Sequence, residues 1–245
     1  MGNPYFNFKQ FSIWQEKSAM KVCTDSCIFG AYVSQYLESQ VFDKSYQRIL
    51  DVGSGTGLLS LMLAQKLPNS KIEAIEPDLD SFSECKLNFE NSNWSNRLNV
   101  FLQNLGQFSE SRQNQYEIII CNPPFFLNHL LSSSQSRNKA LHISKADWEK
   151  WLLELRNLLK PDGQIWILLP KENLNPSLEI GKNLGFHVST KVDLHQFGKH
   201  NWRHILCFIQ NEPSHFTHIE TQIYDQNKDL DSLLKTWLSD FYLKL

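Results

Sequence analysis

The chain has 245 residues, of which 41% are hydrophobic and 12% aromatic, and this composition is typical of a globular protein rather than a disordered one. The formal net charge of −2 does not suggest the strongly basic balance of many nucleic-acid-binding proteins. No apolar run approaches the roughly 18 residues of a membrane span, and no secretory signal is visible, so a cytoplasmic location is predicted. The 5 cysteines are scattered and odd in number, so neither a disulfide framework nor a metal site is expected.

The first 47 residues are predicted to form an arm and a helix that precede the main fold. Residues 6–13 alternate between apolar and polar side chains, which predicts a short strand or hairpin. Thr24 and Asp25 can cap the apolar segment 28–37, which is predicted to be a helix. No long linker follows this arm, so it is not expected to be a separate domain.

Residues 48–210 alternate between strands and helices and form the predicted core. The predicted strands are 48–52, 71–75, 98–102, 116–121, 164–169, 186–194 and 204–210, and the predicted helices are 58–67, 79–91, 147–159 and 178–184. The alternation predicts an α/β fold with a mostly parallel, doubly wound sheet and helices on both faces. Residues 160–163 are predicted to be a turn, and the polar segment 126–144 a loop. Residues 211–245, with a possible strand at 215–224 and a helix at 230–242, are expected to pack on this core.

A glycine-rich turn follows the first core strand and predicts a cofactor site. Gly53, Gly55 and Gly57 have the spacing G-x-G-x-G, which lacks the last glycine of a dinucleotide fingerprint. Asp51 stands directly before the turn, where it would repel a pyrophosphate but not a cation. S-adenosylmethionine carries a sulfonium and an amino group without a phosphate, so it fits. Glu76 ends the next strand, where an acid can accept both ribose hydroxyls. For the glycines alone, an ordinary tight turn remains the simpler alternative.

A second motif, Asn122-Pro123-Pro124-Phe125, follows the apolar strand 116–121. The Asn122 side-chain oxygen and the Pro123 carbonyl are two acceptors that can hold an amino group and draw its lone pair out of ring conjugation. Positive charge develops on the nitrogen during methyl transfer, so these acceptors would bind the transition state better than the ground state. Phe125 can stack on a planar base. A strand that simply stops at prolines is the structural alternative.

Together the two motifs resemble those of amino-directed Rossmann-fold methyltransferases. The N-terminal residues 8–11, 19–22, 24–25 and 30–31 are similar to the start of the bacterial tRNA1(Val) (adenine(37)-N6)-methyltransferase family. The resemblance runs from about residue 6 to about residue 209. It implies a class I methyltransferase sheet of seven strands and methyl transfer from S-adenosylmethionine to N6 of a tRNA adenine beside the anticodon. Beyond tRNA it implies no protein, membrane or metal partner.

The resemblance also implies roles for individual residues. Three of them would close over the cofactor pocket, namely Gln10, Thr24 and Asp25. Those expected to bind S-adenosylmethionine are Asp51, Gly53, Gly55, Gly57 and Glu76. Asn104, which stands where the family usually has Asp, would hold the cofactor adenine. Candidate contacts with RNA phosphates are Arg137, Lys199 and Arg203. The catalytic residues would be Asn122, Pro123, Pro124 and Phe125.

Several alternatives remain at this point. Protein glutamine methyltransferases use a similar motif on an amide, but they resemble each other in a helical domain ahead of the first core strand. Ribosomal-RNA guanine N2-methyltransferases often carry a duplicated N-terminal half, and DNA adenine methylation would call for a recognition domain. An RNA-binding module without catalysis is the non-enzyme alternative. The basic stretch between residues 182 and 204 is compatible with a phosphate-bearing partner, and equally with a solvated loop and strand edge.

Overall fold

A computed structural model describes residues 3–18, 20–40, 47–110, 112–123, 144–196, 201–225 and 227–245. The strands are β1 Tyr5–Asn7, β2 Ser12–Trp14, β3 Arg48–Val52, β4 Lys71–Ile75, β5 Leu98–Phe101, β6 Tyr116–Cys121, β7 Leu159–Pro170, β8 His187–His195, β9 Asn201–Ile209 and β10 Thr217–Gln222. The α-helices are α1 Thr24–Gln40, α2 Leu58–Lys66, α3 Leu79–Glu90, α4 Leu105–Ser109, α5 Lys145–Leu158, α6 Lys171–Asn183 and α7 Ser232–Leu238. No helix within these ranges is both long and apolar enough to cross a membrane.

The core is one sheet of eight strands in the order β10-β8-β9-β7-β6-β3-β4-β5. All neighbouring strands are parallel except β9, which is antiparallel to both β7 and β8. The predicted mostly parallel sheet is therefore confirmed. The sheet has one strand more than the seven expected, because β10 adds a parallel edge strand beside β8.

Helices cover both faces of the sheet, as predicted. Strand β6 illustrates why, since its side chains alternate between two hydrophobic clusters. Ile118 and Ile120 belong to the cluster that includes residues of α1, α2, α3 and α7. Ile119 and Cys121 belong to the cluster built with α4, α5 and α6. A strand buried on both sides is typical of parallel sheets, and it explains the continuous apolar run of β6 in the sequence.

Two local predictions were wrong, and one short helix was missed. The predicted turn 160–163 lies inside β7, which begins at Leu159 and pairs with β6 across a register shift. A Cβ at Gly163 would lie 2.6 Å from the Leu159 side chain and 3.0 Å from the backbone oxygen of Glu117, so a larger residue would force these neighbours to shift. Helix α6 begins at Lys171, well before the predicted start, and contains Pro176. Helix α4 was missed because it is only 5 residues long. The predicted loop 126–144 lies outside the described residues except for Ser144, the N-cap of α5.

The predicted N-terminal hairpin is present as β1 and β2, and it packs onto helix α3. The backbone N–H of Trp14 donates to Oδ1 of Asn88 at 2.8 Å. The Asn88 Nδ2 in turn donates to the backbone oxygens of Trp14 and Thr56 at 3.0 and 2.9 Å. Glu84, one turn earlier on α3, accepts from the backbone N–H of Ser18 at 2.8 Å. Asn88 thus connects the arm directly to the glycine turn that follows β3.

The C-terminal residues pack against the start of the chain. The backbone N–H of Lys9 donates to the backbone oxygen of Phe241 at 2.8 Å. Gln35 of α1 donates through Nε2 to the backbone oxygen of Trp237 at 2.7 Å. The C-terminal stretch therefore has two roles. Strand β10 extends the sheet, and helix α7 covers α1.

Candidate active site

The sheet order changes direction between β3 and β6, with β4 and β5 on one side and β7 on the other. The register pairs Asp51 with Ile120, so Gly53 and Asn122 leave the sheet at neighbouring strand ends. The Cys121 thiol reinforces this alignment by donating to the backbone oxygen of Val52 at 2.9 Å. Open α/β sheets bind ligands at this kind of switch point, beyond the carboxyl ends of the strands.

The glycine turn leaves open space at two of its three glycines. Gly53, Gly55 and Gly57 have φ angles of 70°, 55° and 84°, which side-chain-bearing residues rarely adopt. A Cβ at Gly53 or Gly55 would meet nothing within 4 Å. A Cβ at Gly57 would lie 2.6 Å from the Phe89 ring of α3. The first two glycines therefore leave backbone that a ligand can approach, whereas the third allows the turn to pack on α3.

Glu76 holds this turn against the end of β4. The side chain is buried, and its Oε2 accepts from the backbone N–H of Gly55 at 2.8 Å. Its Oε1 accepts from the backbone N–H of Asp78 at 2.9 Å. Burial raises the pKa of Glu76 above its ordinary value, although these two N–H groups act in the opposite direction. Each carboxylate oxygen has two lone pairs, so Glu76 retains the capacity to accept from ligand hydroxyls.

Asp51 lies beneath the turn with 0% of its surface exposed. Its Oδ2 accepts from the backbone N–H and the hydroxyl of Ser60, at 3.1 and 2.7 Å, which ties β3 to α2. Its Oδ1 has no hydrogen-bond partner among the described residues. Burial raises the pKa of Asp51 to about 7, and the charge of Glu76 acts in the same direction. A buried carboxylate with a free oxygen, beside an open glycine surface, fits a cationic ligand such as S-adenosylmethionine.

Asn122 lies at the end of β6 and is hydrogen-bonded to the first turn of α1. Its Nδ2 donates to Oγ of Ser26 at 2.8 Å. Asn122 is half-buried and the following Pro123 is buried. The other two motif residues, Pro124 and Phe125, lie outside the described residues. Ser26 was not among the predicted site residues, and its position directly after Thr24 and Asp25 was the only available signal.

The first turn of α1 is also tied to β9. Oδ2 of the buried Asp25 accepts from Nε of Arg203 at 3.0 Å. The Arg203 guanidinium lies 4.5 Å from the centroid of the Trp202 ring. Cys23 Sγ lies 3.0 Å from Ser26 Oγ, and burial, with a further contribution from Asp25, raises the pKa of Cys23 to about 11. The structure thus engages Arg203, predicted to contact RNA phosphates, in an ion pair within the protein.

The remaining predicted residues lie in different places. Gln10 is exposed in the connection between β1 and β2, and Thr24 is the first residue of α1. Asn104 follows β5 at the same edge of the sheet, where its Oδ1 accepts from the backbone N–H of Gln107 at 2.9 Å as the N-cap of α4. Arg137 and Lys199 lie outside the described residues.

Part of the basic stretch has a structural role. The buried Asp193 of β8 accepts from Nδ1 of His204 at 2.5 Å, Nε2 of His218 at 2.7 Å and Nζ of Lys191 at 2.8 Å. These bonds join β8, β9 and β10 side by side. In the part of the chain that the structure describes, no group of three or more His, Cys, Asp or Glu side chains could hold a metal ion.

Comparisons with known proteins agree with this geometry. Residues 20–188 match the family model described as "Methyltransferase small domain". The chain is similar in fold to the N-terminal domain of human METTL16, solved in complex with SAH, with a TM-score of 0.58 at 19% identity over 82% of this chain and 76% of that chain. At this identity the likeness shows the fold alone, which is that of a class I methyltransferase.

Two curated relatives match nearly the whole chain. A tRNA1(Val) (adenine(37)-N6)-methyltransferase of Dyadobacter fermentans is 36% identical, covering 99% of this chain and 98% of the relative. A protein of the same name from Cytophaga hutchinsonii is 35% identical over 100% of both. This identity from end to end confirms the resemblance noted in the sequence. The chain belongs to the tRNA1(Val) (adenine(37)-N6)-methyltransferase family.

Proposed function

We propose that this protein transfers a methyl group from S-adenosylmethionine to the exocyclic N6 amino group of adenine 37 in tRNA1(Val). The observation that carries the proposal is the adjacent position of the glycine turn and Asn122 at the switch point of the sheet. Family membership supports the same substrate, because the relatives bear that name over the whole chain length. With a tRNA substrate, the enzyme would act in the cytoplasm.

The cofactor would lie along the glycine turn. The backbone of Gly53 and Gly55 can approach it closely, since neither position carries a side chain. Asp51 would supply the negative charge for its cationic methionine part, and Glu76 would accept from its ribose hydroxyls. When bound, S-adenosylmethionine supplies a methyl group activated by the sulfonium. Asn104 would contact the adenine ring through the part of its amide that does not cap α4.

The acceptor amine would be held by two oxygens. With Nδ2 of Asn122 bonded to Ser26, Oδ1 is the atom left to accept a hydrogen from the adenine amino group. The backbone carbonyl of Pro123 is the second acceptor we assign. Both oxygens stabilise the positive charge that develops on N6, so they lower the barrier more than they strengthen ground-state binding. An aryl amine is neutral at pH 7, so no base must act first, and the extra proton can leave to water afterwards.

The adenine ring itself would be turned out of the anticodon loop to reach these acceptors. We assign Phe125 to stacking on that ring, since it follows the acceptor residues closely in the sequence and an aromatic ring can bind a flat base without reading its edges. Arg137 and Lys199 remain our candidates for phosphate contacts.

Transcribed tRNA1(Val) lacking modifications tests the proposal. Incubation with methyl-labelled S-adenosylmethionine should place the label on adenine 37, identified as N6-methyladenosine after nuclease digestion. A transcript with guanine at position 37 is the matched control and should take up no label. Parallel incubations contain a release factor or ribosomal RNA in place of the tRNA. Label on either of these, with none on the tRNA, would instead support a glutamine or guanine methyltransferase. Donor binding by calorimetry without any transfer would support the binding-module alternative.

A further inference from the structure

The two ends of the Asn122 side-chain amide have the same shape and opposite hydrogen-bonding character. One end donates two hydrogens and the other accepts them. A rotation of half a turn about the last side-chain bond exchanges the two ends, and the torsion of an amide group is broad enough to allow it. Presented the wrong way, Asn122 would point N–H groups at the amino group that it has to hold.

The hydroxyl of Ser26 favours one of these two orientations, because it lies beside one end of the amide. Ser26 Oγ lies 2.8 Å from Asn122 Nδ2 and comes from an element 96 positions away in the sequence. Ser26 is only 6% exposed, so solvent competes weakly for this bond. A hydroxyl can both donate and accept, so one more contact is needed to fix its direction.

The neighbouring residues supply that contact. Ser26 Oγ lies 3.0 Å from Cys23 Sγ. Burial, with a further contribution from Asp25, raises the pKa of Cys23 to about 11, so its thiol is neutral. Asp25 pairs with Arg203, and its Oδ1 accepts from the Ser26 backbone N–H at 3.1 Å. Because Asn122 Nδ2 can only donate to Ser26 Oγ, the hydroxyl keeps its own hydrogen, which can be donated to Cys23 Sγ.

We propose that Ser26 is a positioning residue, which accepts from Nδ2 of Asn122 and thereby turns Oδ1 of Asn122 toward the amino group to be methylated. The inference rests on the proposed amine methylation, but not on the identity of the RNA. Loss of the hydroxyl leaves a half-buried amide N–H without its partner, so the amide samples both orientations. The turnover rate should fall, whereas binding of the methyl donor should not change.

Substitution of Ser26 by Thr and by Val provides a matched pair. The two side chains have nearly the same shape and both add a methyl group to a buried position, but only Thr keeps the hydroxyl. Ser26→Ala removes the hydroxyl without adding bulk. Ser34→Ala is the control on the same helix, because Ser34 is also buried and its hydroxyl donates to the backbone oxygen of Ala31.

We expect kcat for tRNA methylation to fall about 10-fold in Ser26→Ala, as for the loss of one hydrogen bond in the transition state. The kcat of Ser26→Val should be about 10-fold lower than that of Ser26→Thr, and Ser34→Ala should keep the wild-type kcat. The donor dissociation constant should stay within about twofold in all four variants, since none of these groups is assigned to the donor. Equal kcat in Ser26→Thr and Ser26→Val would overturn the proposal, because the hydroxyl would then have no role beyond packing.

A second measurement does not depend on activity. The side-chain amide signal of Asn122, identified by its absence in Asn122→Asp, should report a hydrogen-bonded Nδ2 in wild type and Ser26→Thr by NMR. It should shift in Ser26→Val and Ser26→Ala, and an unshifted signal would also overturn the proposal. If wild type methylates no RNA while the signal behaves as expected, the proposed function fails and the orienting role of Ser26 stands.

Discussion

Nε of Arg203 lies 3.0 Å from Oδ2 of Asp25, and this ion pair joins the start of β9 to the first turn of α1. The side chains are 29% and 10% exposed, so water screens the pair only in part. The sequence had suggested a role for Arg203 on RNA phosphates. From the pair we infer that Arg203 supports the turn that carries Ser26 rather than contacting a phosphate, and this difference can be measured.

The first prediction concerns Arg203→Met, which keeps an unbranched apolar stem and removes the guanidinium. Asp25 would lose its partner, so we expect a loss of about 2 kcal/mol in the free energy of unfolding. We also expect a lower kcat, because the first turn of α1 loosens. The slope of log tRNA affinity against log salt should not change. A decrease of about 1 in that slope would mean that Arg203 neutralises a phosphate after all.

The second prediction concerns Asn122→Ala, which removes the acceptor oxygen. We expect kcat to fall by about 100-fold or more, since preorganised acceptors act mainly in the transition state. Calorimetry should give an unchanged donor dissociation constant, because Asn122 is assigned to the methyl acceptor. A variant that keeps its turnover rate while it still binds the donor would contradict the role given to Asn122.

The third prediction is a pH dependence that arises from Asp51. Burial raises its pKa to about 7, so the carboxylate becomes ionised only as the pH passes through that value. A cationic donor should therefore bind more tightly at pH 8 than at pH 6, as followed by the dissociation constant in calorimetry. Asp51→Asn should bind more weakly and lose this part of the pH dependence.

Asp51 should also affect stability, with a definite sign. The unfolded carboxyl releases its proton near pH 3.9, about three units below the folded one. Between these values the folded state holds one proton more, so the free energy of unfolding should decrease as the pH rises from about 4 to 7. The contribution of Asp51 is complete below that window and lost above it. Chemical denaturation of wild type and Asp51→Asn should show a smaller decrease in the variant.

The fourth prediction compares two glycines of the same turn. Gly57→Ala combines an unfavourable φ with a Cβ 2.6 Å from Phe89, so it should cost roughly 3 kcal/mol of stability. Gly53→Ala meets nothing within 4 Å and should cost only about 1 kcal/mol. Gly53→Ala should nevertheless weaken donor binding, because its methyl group projects into the open space. Normal donor affinity in this variant would remove Gly53 from the cofactor site.

Much of the site could be predicted because it consists of strand ends. The alternation of strands and helices implied a parallel sheet, and a parallel sheet brings the ends of β3, β4 and β6 to one edge. Asp51, Glu76 and Asn122 could therefore be grouped without any knowledge of tertiary contacts. Strong apolar runs such as Ile118–Ile120 located those strand ends closely.

The supporting contacts could not be predicted in the same way. Ser26 and Asn122 are 96 positions apart, and Arg203 and Asp25 are 178 positions apart. Each pair meets only because α1 packs across the sheet at a particular angle, which no local pattern encodes. Residues 160–163 show the opposite error, because a sequence typical of a turn forms the irregular part of β7, between the pairs that Leu159 and Gln164 make with β6.

The bond between Lys9 and the end of the chain has a consequence for biosynthesis. Lys9 Nζ donates to the backbone oxygen of Ser239, across 230 positions of sequence. During translation the hairpin emerges first, on the order of tens of seconds before the residues that it contacts. The hairpin can pack onto α3 before that, but its contacts with residues 239 and 241 form only after those residues have emerged. Truncated nascent chains should therefore leave the hairpin less protected from proteolysis, and full protection should appear only when residues up to 241 have been released.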